Sequence, residues 1–253
     1  MVPAINLGPF VLPTAPFLYI IGAWICLSLV ERSARWLELN PETMSGLVAT
    51  GLIVGVVGAR LTFVAQYWSA YQNNLLGIIW PINSGFSPLG GVFFAAAAMF
   101  FYGRHKQMAL APTLDALAPV LITGLMFVSL ADFFGGPGFG TATQMPWGIS
   151  QFDIRRHAVQ LYELGVGLLA LLVWWLLRER RDFEGQLFLA STAVYCFGRL
   201  FLDAFRANAW LSSGGWHSLQ ILCLLATLTC LVLLAHGARR FNSSPNQSNR
   251  LAP

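Results

Sequence analysis

The chain has 253 residues, of which 10% are charged and 56% hydrophobic, with a net charge of +4. A water-soluble domain usually carries about 25% charged residues, so this chain cannot cover itself with charge and lipid must be its solvent. Its 15 basic residues are scattered between apolar runs without forming a stripe, which excludes a nucleic-acid-binding surface.

The apolar runs predict an all-α membrane protein of about seven transmembrane helices, each needing ~20 apolar residues. In chain order they fall at about 13–30, 46–67, 88–102, 113–135, 159–177, 186–206 and 217–236. The first run lacks a basic leading segment and a small-x-small cleavage site, so it reads as a retained span. The third is short. It follows 75–87, an apolar stretch broken by Gly77, Pro81 and Gly85, which reads as a re-entrant or interfacial loop. Cys26, Cys196, Cys223 and Cys230 all lie inside apolar runs without C-x-x-C spacing, as small buried residues do. Residues 1–240 are expected to form a single transmembrane domain. The polar tail 241–253 is expected to be a disordered cytoplasmic segment.

Charge sets the expected orientation, because Lys and Arg collect in cytoplasmic loops. Arg32 and Arg35 follow the first span, Arg104 and Lys106 the third, and Arg178, Arg180 and Arg181 the fifth. Arg239, Arg240 and Arg250 follow the seventh. These alternate loops mark one side as cytoplasm, with the N-terminus outside and the C-terminus inside.

Arg60, Arg155, Arg156, Arg199 and Arg206 break that rule. They lie within spans two, five and six or at their outer ends. Asp132, Glu163 and Asp203 keep them company. One reading is an Arg–Asp lock between helices. The other is an anionic ligand, since five arginines outnumber three acids and the guanidinium fork matches phosphate oxygens. A phospholipid headgroup at this depth suits that chemistry. Trp68, Trp80, Trp147, Trp210 and Trp216 fall near the expected outer interface, as an aromatic belt does in any membrane protein.

Four strings carry a resemblance: G-x-x-G-A-R-L around Arg60, R-H-A-V-Q-L-Y-E from Arg156 to Glu163, G-R-L-F-L-D-A-F-R from Gly198 to Arg206, and S-L-Q from Ser218 to Gln220. Their order and spacing resemble the bacterial prolipoprotein diacylglyceryl transferases, from the opening L-G-P-F (Leu7 to Phe10) to Gln220. The resemblance implies transfer of diacylglycerol from phosphatidylglycerol, or another anionic phospholipid, to the lipobox cysteine of a preprolipoprotein. The product is a thioether and glycerol phosphate leaves. It implies a multi-pass protein of the bacterial cytoplasmic (inner) membrane with its site toward the outer side, and neither metal nor organic cofactor. Arg60, Arg156, Gln160, Tyr162, Glu163, Asp203 and Arg206 are then expected to bind phospholipid. Arg199 is expected in catalysis.

The chain also departs from the family pattern. Leu89, in S-P-L-G-G, stands at a family histidine. Ser129 stands at an arginine, Asp132 at an asparagine, Pro137 at a glutamate and Ala158 at a proline, and Ala15-Pro16 replaces a Tyr-Gly pair. A base is still needed, because the thiolate is the nucleophile. His157 and His217 are the histidines expected on the outer side, and either suits a base near neutral pH. His157, beside Arg156, is the first choice and Asp132 the next. Alternative functions are transfer to another acceptor, a non-catalytic phospholipid-binding scaffold, and a transporter or proton path. Only the intramembrane charges support the last.

Overall fold

The computed structural model describes residues 4–7, 10–73, 76–79, 85–151, 153–212 and 214–243. Two short strands, β1 (Ala4–Leu7) and β2 (Phe10–Pro13), pair antiparallel and lead into α1 (Thr14–Trp36). Then come α2 (Pro41–Gln66), the single turns α3 (Trp68–Tyr71) and α4 (Leu76–Ile79), α5 (Pro88–His105) and α6 (Leu110–Gly135). A second antiparallel hairpin, β3 (Ile149–Gln151) and β4 (Ile154–Arg156), precedes α7 (Val159–Leu177). The chain ends in α8 (Gln186–Leu202), a 3-10 turn Asp203–Phe205, and α9 (Ser218–Asn242).

Six of these helices are long and apolar enough to cross a membrane: α1, α2, α6, α7, α8 with its 3-10 turn, and α9. The expected third span corresponds to α5, which has 18 residues and ends on Arg104 and His105. At 1.5 Å per residue it is about 27 Å long, and its basic last turn lowers its hydropathy. The all-α expectation needs the two hairpins added. Both are too short for periodicity to reveal. Of the expected loop 75–87, residues 76–79 form a helical turn and 85–87 are extended; residues 75 and 80–84, Trp80 included, lie outside the described residues. So does the tail beyond 243.

Many apolar side chains point outward. Trp24, Ile53, Phe101, Leu168 and Leu225 are each more than half exposed, while Asp115, Gln160, Glu163 and Asp203 are buried. Lipid makes that distribution favourable, because its core is as apolar as leucine.

The chain forms two compact units, residues 1–29 with 114–253, and residues 30–113. In the second, Asn40 caps α2 by accepting the Thr43 N–H at 3.1 Å, with Pro41 in the first turn, as helix starts favour. Helix α2 packs on α5 through small residues. A Cβ on Gly55 would lie 3.3 Å from the Gly91 carbonyl, and one on Gly91 3.2 Å from the Gly55 carbonyl. That close approach is the small-residue packing of membrane helices.

In the first unit, α7 packs on α8 and α8 on α9. One face of α7 is buried: Val159, Gln160, Glu163, Gly167, Ala170 and Trp174. Asp115, on α6, is fully buried. Its carboxylate accepts the N–H groups of Gly185 at 2.7 Å and Phe188 at 2.8 Å. It therefore caps α8 from another helix, and its own carbonyl accepts the Trp174 indole N–H at 2.8 Å. Three helices are tied together at one residue.

Candidate active site

The site grows from the face α7 turns to α8. Gly198 lets the two helices approach, since a Cβ there would fall 2.4 Å from a Val166 methyl carbon. Glu163, 3% exposed, then meets α8. Its Oε1 accepts Nη1 of Arg199, and Nη2 of Arg206 at 2.6 Å. Its Oε2 accepts the Ser129 hydroxyl at 2.6 Å. One carboxylate thus holds two guanidinium groups. Removing one partner from such a buried pair leaves an uncompensated charge, which explains why all three groups occur together.

Arg199, Asp203 and Arg206 are spaced i, i+4 and i+7, so the helix and its 3-10 extension bring them to one face. Asp203 is 1% exposed, and its Oδ2 lies 3.0 Å from Nδ1 of His217 at the start of α9. Gln220, one turn into α9, donates to the Leu200 carbonyl at 3.2 Å and fastens α9 to α8.

A strip of extended chain closes the same region. Thr141 N–H donates to the Phe205 carbonyl at 2.8 Å and Ala207 N–H to the Phe139 carbonyl at 3.0 Å. On its other side, His157 N–H donates to the Thr141 carbonyl at 3.0 Å. Residues 139–143 therefore run between the backbones of Arg206 and Arg156. The Arg156 Nη1 donates to the Gly140 carbonyl at 3.2 Å, and its guanidinium lies 4.8 Å from the Phe139 ring centroid, a cation–π distance.

Gln160 is fully buried and donates to the Pro137 carbonyl at 3.3 Å. Asp132 is reached through Gly138: a Cβ there would stand 3.0 Å from Asp132 Oδ2 and 3.4 Å from Arg206 Nη1. His157 packs its ring at 4.9 Å from Phe205 and 6.3 Å from Tyr162. Buried polar atoms without a partner among the described residues gather here: Arg156 Nε, Gln160 Oε1, Tyr162 Oη, Asp203 Oδ1 and Arg206 Nε. Native proteins leave few such groups unsatisfied outside functional sites.

Nine of the ten expected site residues thus belong to one unit: Asp132, Arg156, His157, Gln160, Tyr162, Glu163, Arg199, Asp203 and Arg206. The tenth, Arg60, belongs to the other. It is buried, and it donates to the carbonyls of Gly77 at 2.5 Å, Ile78 at 3.0 Å and Gly85 at 2.9 Å. Tyr71 and Phe86 flank its guanidinium.

The chain has counterparts among known proteins. A profile of the family described as prolipoprotein diacylglyceryl transferase matches residues 3–236. The chain belongs to the prolipoprotein diacylglyceryl transferase family. A relative named phosphatidylglycerol--prolipoprotein diacylglyceryl transferase from Methylococcus capsulatus is 32% identical, over 94% of this chain and 95% of its own length. Relatives of the same name from Tropheryma whipplei (strain Twist) and Enterococcus faecalis are 29% and 28% identical. They cover 83% and 95% of this chain, and 82% and 92% of their own lengths.

Within this diacylglyceryl transferase family member, two positions that read as departures in the sequence acquire a setting. Ser129 supplies a neutral hydroxyl to Glu163. Leu89 stands exposed in the first turn of α5. Sequence reasoning passed over Asp115, although a lone carboxylate opening an apolar span is a signal in itself. It also passed over Gln151, 3% exposed with both side-chain amide atoms unpartnered among the described residues, which nothing in its local sequence distinguishes. The pairing of Asp203 with His217 crosses a 14-residue separation that no spacing rule covers.

Proposed function

We propose that the chain is a membrane transferase that moves diacylglycerol from phosphatidylglycerol to the lipobox cysteine thiol of a preprolipoprotein, releasing glycerol phosphate. The observation that carries this reading is the convergence of Arg199 and Arg206 on the one carboxylate of buried Glu163. The family and the names of its relatives supply the reaction.

Arg199 and Arg206 each give Glu163 one nitrogen, and their remaining N–H donors suit the oxygens of a phosphodiester. Arg199, Arg206 and Arg156 then bind the phosphate oxygens. Arg199 also stabilises the charge that develops as glycerol phosphate departs. Glu163 holds the guanidinium pair in place before lipid arrives. The unpartnered Gln160 Oε1 and Tyr162 Oη bind the headgroup hydroxyls. Asp132 borders the cluster beside Arg206, and Arg60 holds the carbonyls of Gly77, Ile78 and Gly85. The acceptor thiol must lose its proton; His157, His217 and Asp132 are the groups of this unit suited to take it.

In this reading the chain sits in the bacterial cytoplasmic (inner) membrane with seven spans, α5 included. Its N-terminus is outside, its C-terminus inside, and the site in the outer half. Support comes from charge: Arg35, Arg104, and Arg239 with Arg240 occupy the last turns of α1, α5 and α9, and Arg178 caps α7. These are the ends the positive-inside rule assigns to the cytoplasm.

The test is glycerol phosphate release by the purified full chain in phosphatidylglycerol vesicles, with and without a lipobox peptide. Peptide-dependent release is expected. Lipid binding with no release would replace the transferase by a phospholipid-binding scaffold.

A further inference from the structure

The acceptor thiol must lose its proton before the sulfur can attack. Two histidines of the first unit differ sharply in setting. The His157 ring packs against Phe205 and Tyr162, and neither ring nitrogen has a polar partner among the described residues. The His217 ring is held by a carboxylate, with Nδ1 3.0 Å from Asp203 Oδ2.

That contact fixes chemistry as well as position. An ionised carboxylate only accepts, so Nδ1 carries the hydrogen and Nε2 keeps a lone pair. Asp203 is 1% exposed while the His217 side chain is 33% exposed. The orienting acid is thus sealed and the free edge of the ring is open. The His217 backbone is pinned as well: it bridges Leu211, and Ser218 N–H donates to the Trp210 carbonyl at 3.0 Å. Asp203 sits on the same turn of chain as the phosphate-binding candidates. Its N–H donates to the Arg199 carbonyl, and its own carbonyl accepts the Arg206 N–H at 3.2 Å.

We propose that His217, oriented by Asp203, is the general base that activates the acceptor thiol, an inference that rests on the transferase reading above. The S–H proton passes to His217 Nε2. The thiolate sulfur forms a C–S bond to the glyceryl carbon that bears the phosphoester oxygen. That C–O bond breaks, and its electron pair leaves on the phosphate oxygen of glycerol phosphate. The imidazolium returns its proton to the departing phosphate, so nothing is oxidised or reduced. His217 is the catalytic residue here. Asp203 is a positioning residue that sets the ring's tautomer and angle.

The experiment uses the full chain in phosphatidylglycerol vesicles with a lipobox peptide, comparing the parent with His217→Ala, His217→Gln, Asp203→Asn and His157→Ala. The side-chain amide of His217→Gln can still donate to Asp203, which guards against a variant that simply fails to fold. Both His217 variants are expected to lose at least ~100-fold in transfer rate, the scale of a lost general base, while phosphatidylglycerol binding is kept. Added imidazole should restore part of the rate to His217→Ala. Asp203→Asn should lower kcat with little change in KM for the peptide. Parent-like turnover in His217→Gln, or loss of turnover in His157→Ala alone, overturns the proposal but leaves the transferase standing. A parent protein that binds phosphatidylglycerol and releases nothing overturns both.

Discussion

Ser129 on α6 donates a 2.6 Å hydrogen bond to Oε2 of Glu163 on α7, the same carboxylate whose other oxygen holds Arg199 and Arg206. A hydroxyl thus completes the coordination of a buried carboxylate. Ser129→Ala should leave Oε2 short of a donor and destabilise the protein by about 1–3 kcal/mol, the usual cost of a buried unsatisfied group. Glu163→Gln should be worse, at about 3–5 kcal/mol, because it strands two guanidinium groups. Thermal unfolding of the purified variants in detergent reads both. Equal stability of the two would mean that the arginines do not depend on Glu163.

Arginine at position 199 is expected to matter for its shape as well as its charge. Arg199→Lys should fold but bind phosphatidylglycerol much less well, because a lysine cannot present a bidentate fork to phosphate. Arg180→Lys, on an exposed loop between α7 and α8, should bind lipid as the parent does. Vesicle flotation with phosphatidylglycerol compares the two directly. Equal binding by both variants would count against an arginine-lined lipid site.

Asp115 lies far along α6 from Ser129, yet it caps the helix that carries Arg199. Asp115→Ala should destabilise the protein by about 2 kcal/mol, the upper end for a lost cap, since the freed N–H groups of Gly185 and Phe188 are part-buried. Asp115→Asn, which keeps one acceptor oxygen, should fall between the two. The order of thermal midpoints, parent above Asn above Ala, is the result to look for.

Orientation can be read by cysteine labelling of a background in which the native cysteines are replaced. A cysteine near Gln144 should react with an impermeant reagent in intact cells. One in the tail beyond Asn242 should react only after lysis. Labelling of the tail from outside would reverse the topology.

Much of the membrane layout was legible in the sequence because the bilayer imposes one requirement on every span. A run such as 159–177 has to be apolar and long, and α7 has those bounds. The ion pair was legible through cost: a part-buried Arg199 or a buried Glu163 inside a span needs a reason, and each residue supplies the other's. The hairpin Ile149–Arg156 was not legible. Its strands have three residues each, and they are held by pairing with residues 139–143, which no local pattern announces. The same holds for His217, whose partner is chosen by how α9 packs against α8. Arg60 was read with the other outer arginines on charge alone, whereas the carbonyls of Gly77, Ile78 and Gly85 take its donors.

The central claim, that this chain transfers diacylglycerol to a lipobox cysteine, is tested most directly in cells depleted of their own prolipoprotein diacylglyceryl transferase. The chain is expressed there, and mass spectrometry follows the modification of a reporter preprolipoprotein. The expected result is a diacylglyceryl thioether on the lipobox cysteine, absent when Arg199→Ala is expressed at equal membrane level. An unmodified reporter beside a chain that is abundant in the membrane would contradict the claim.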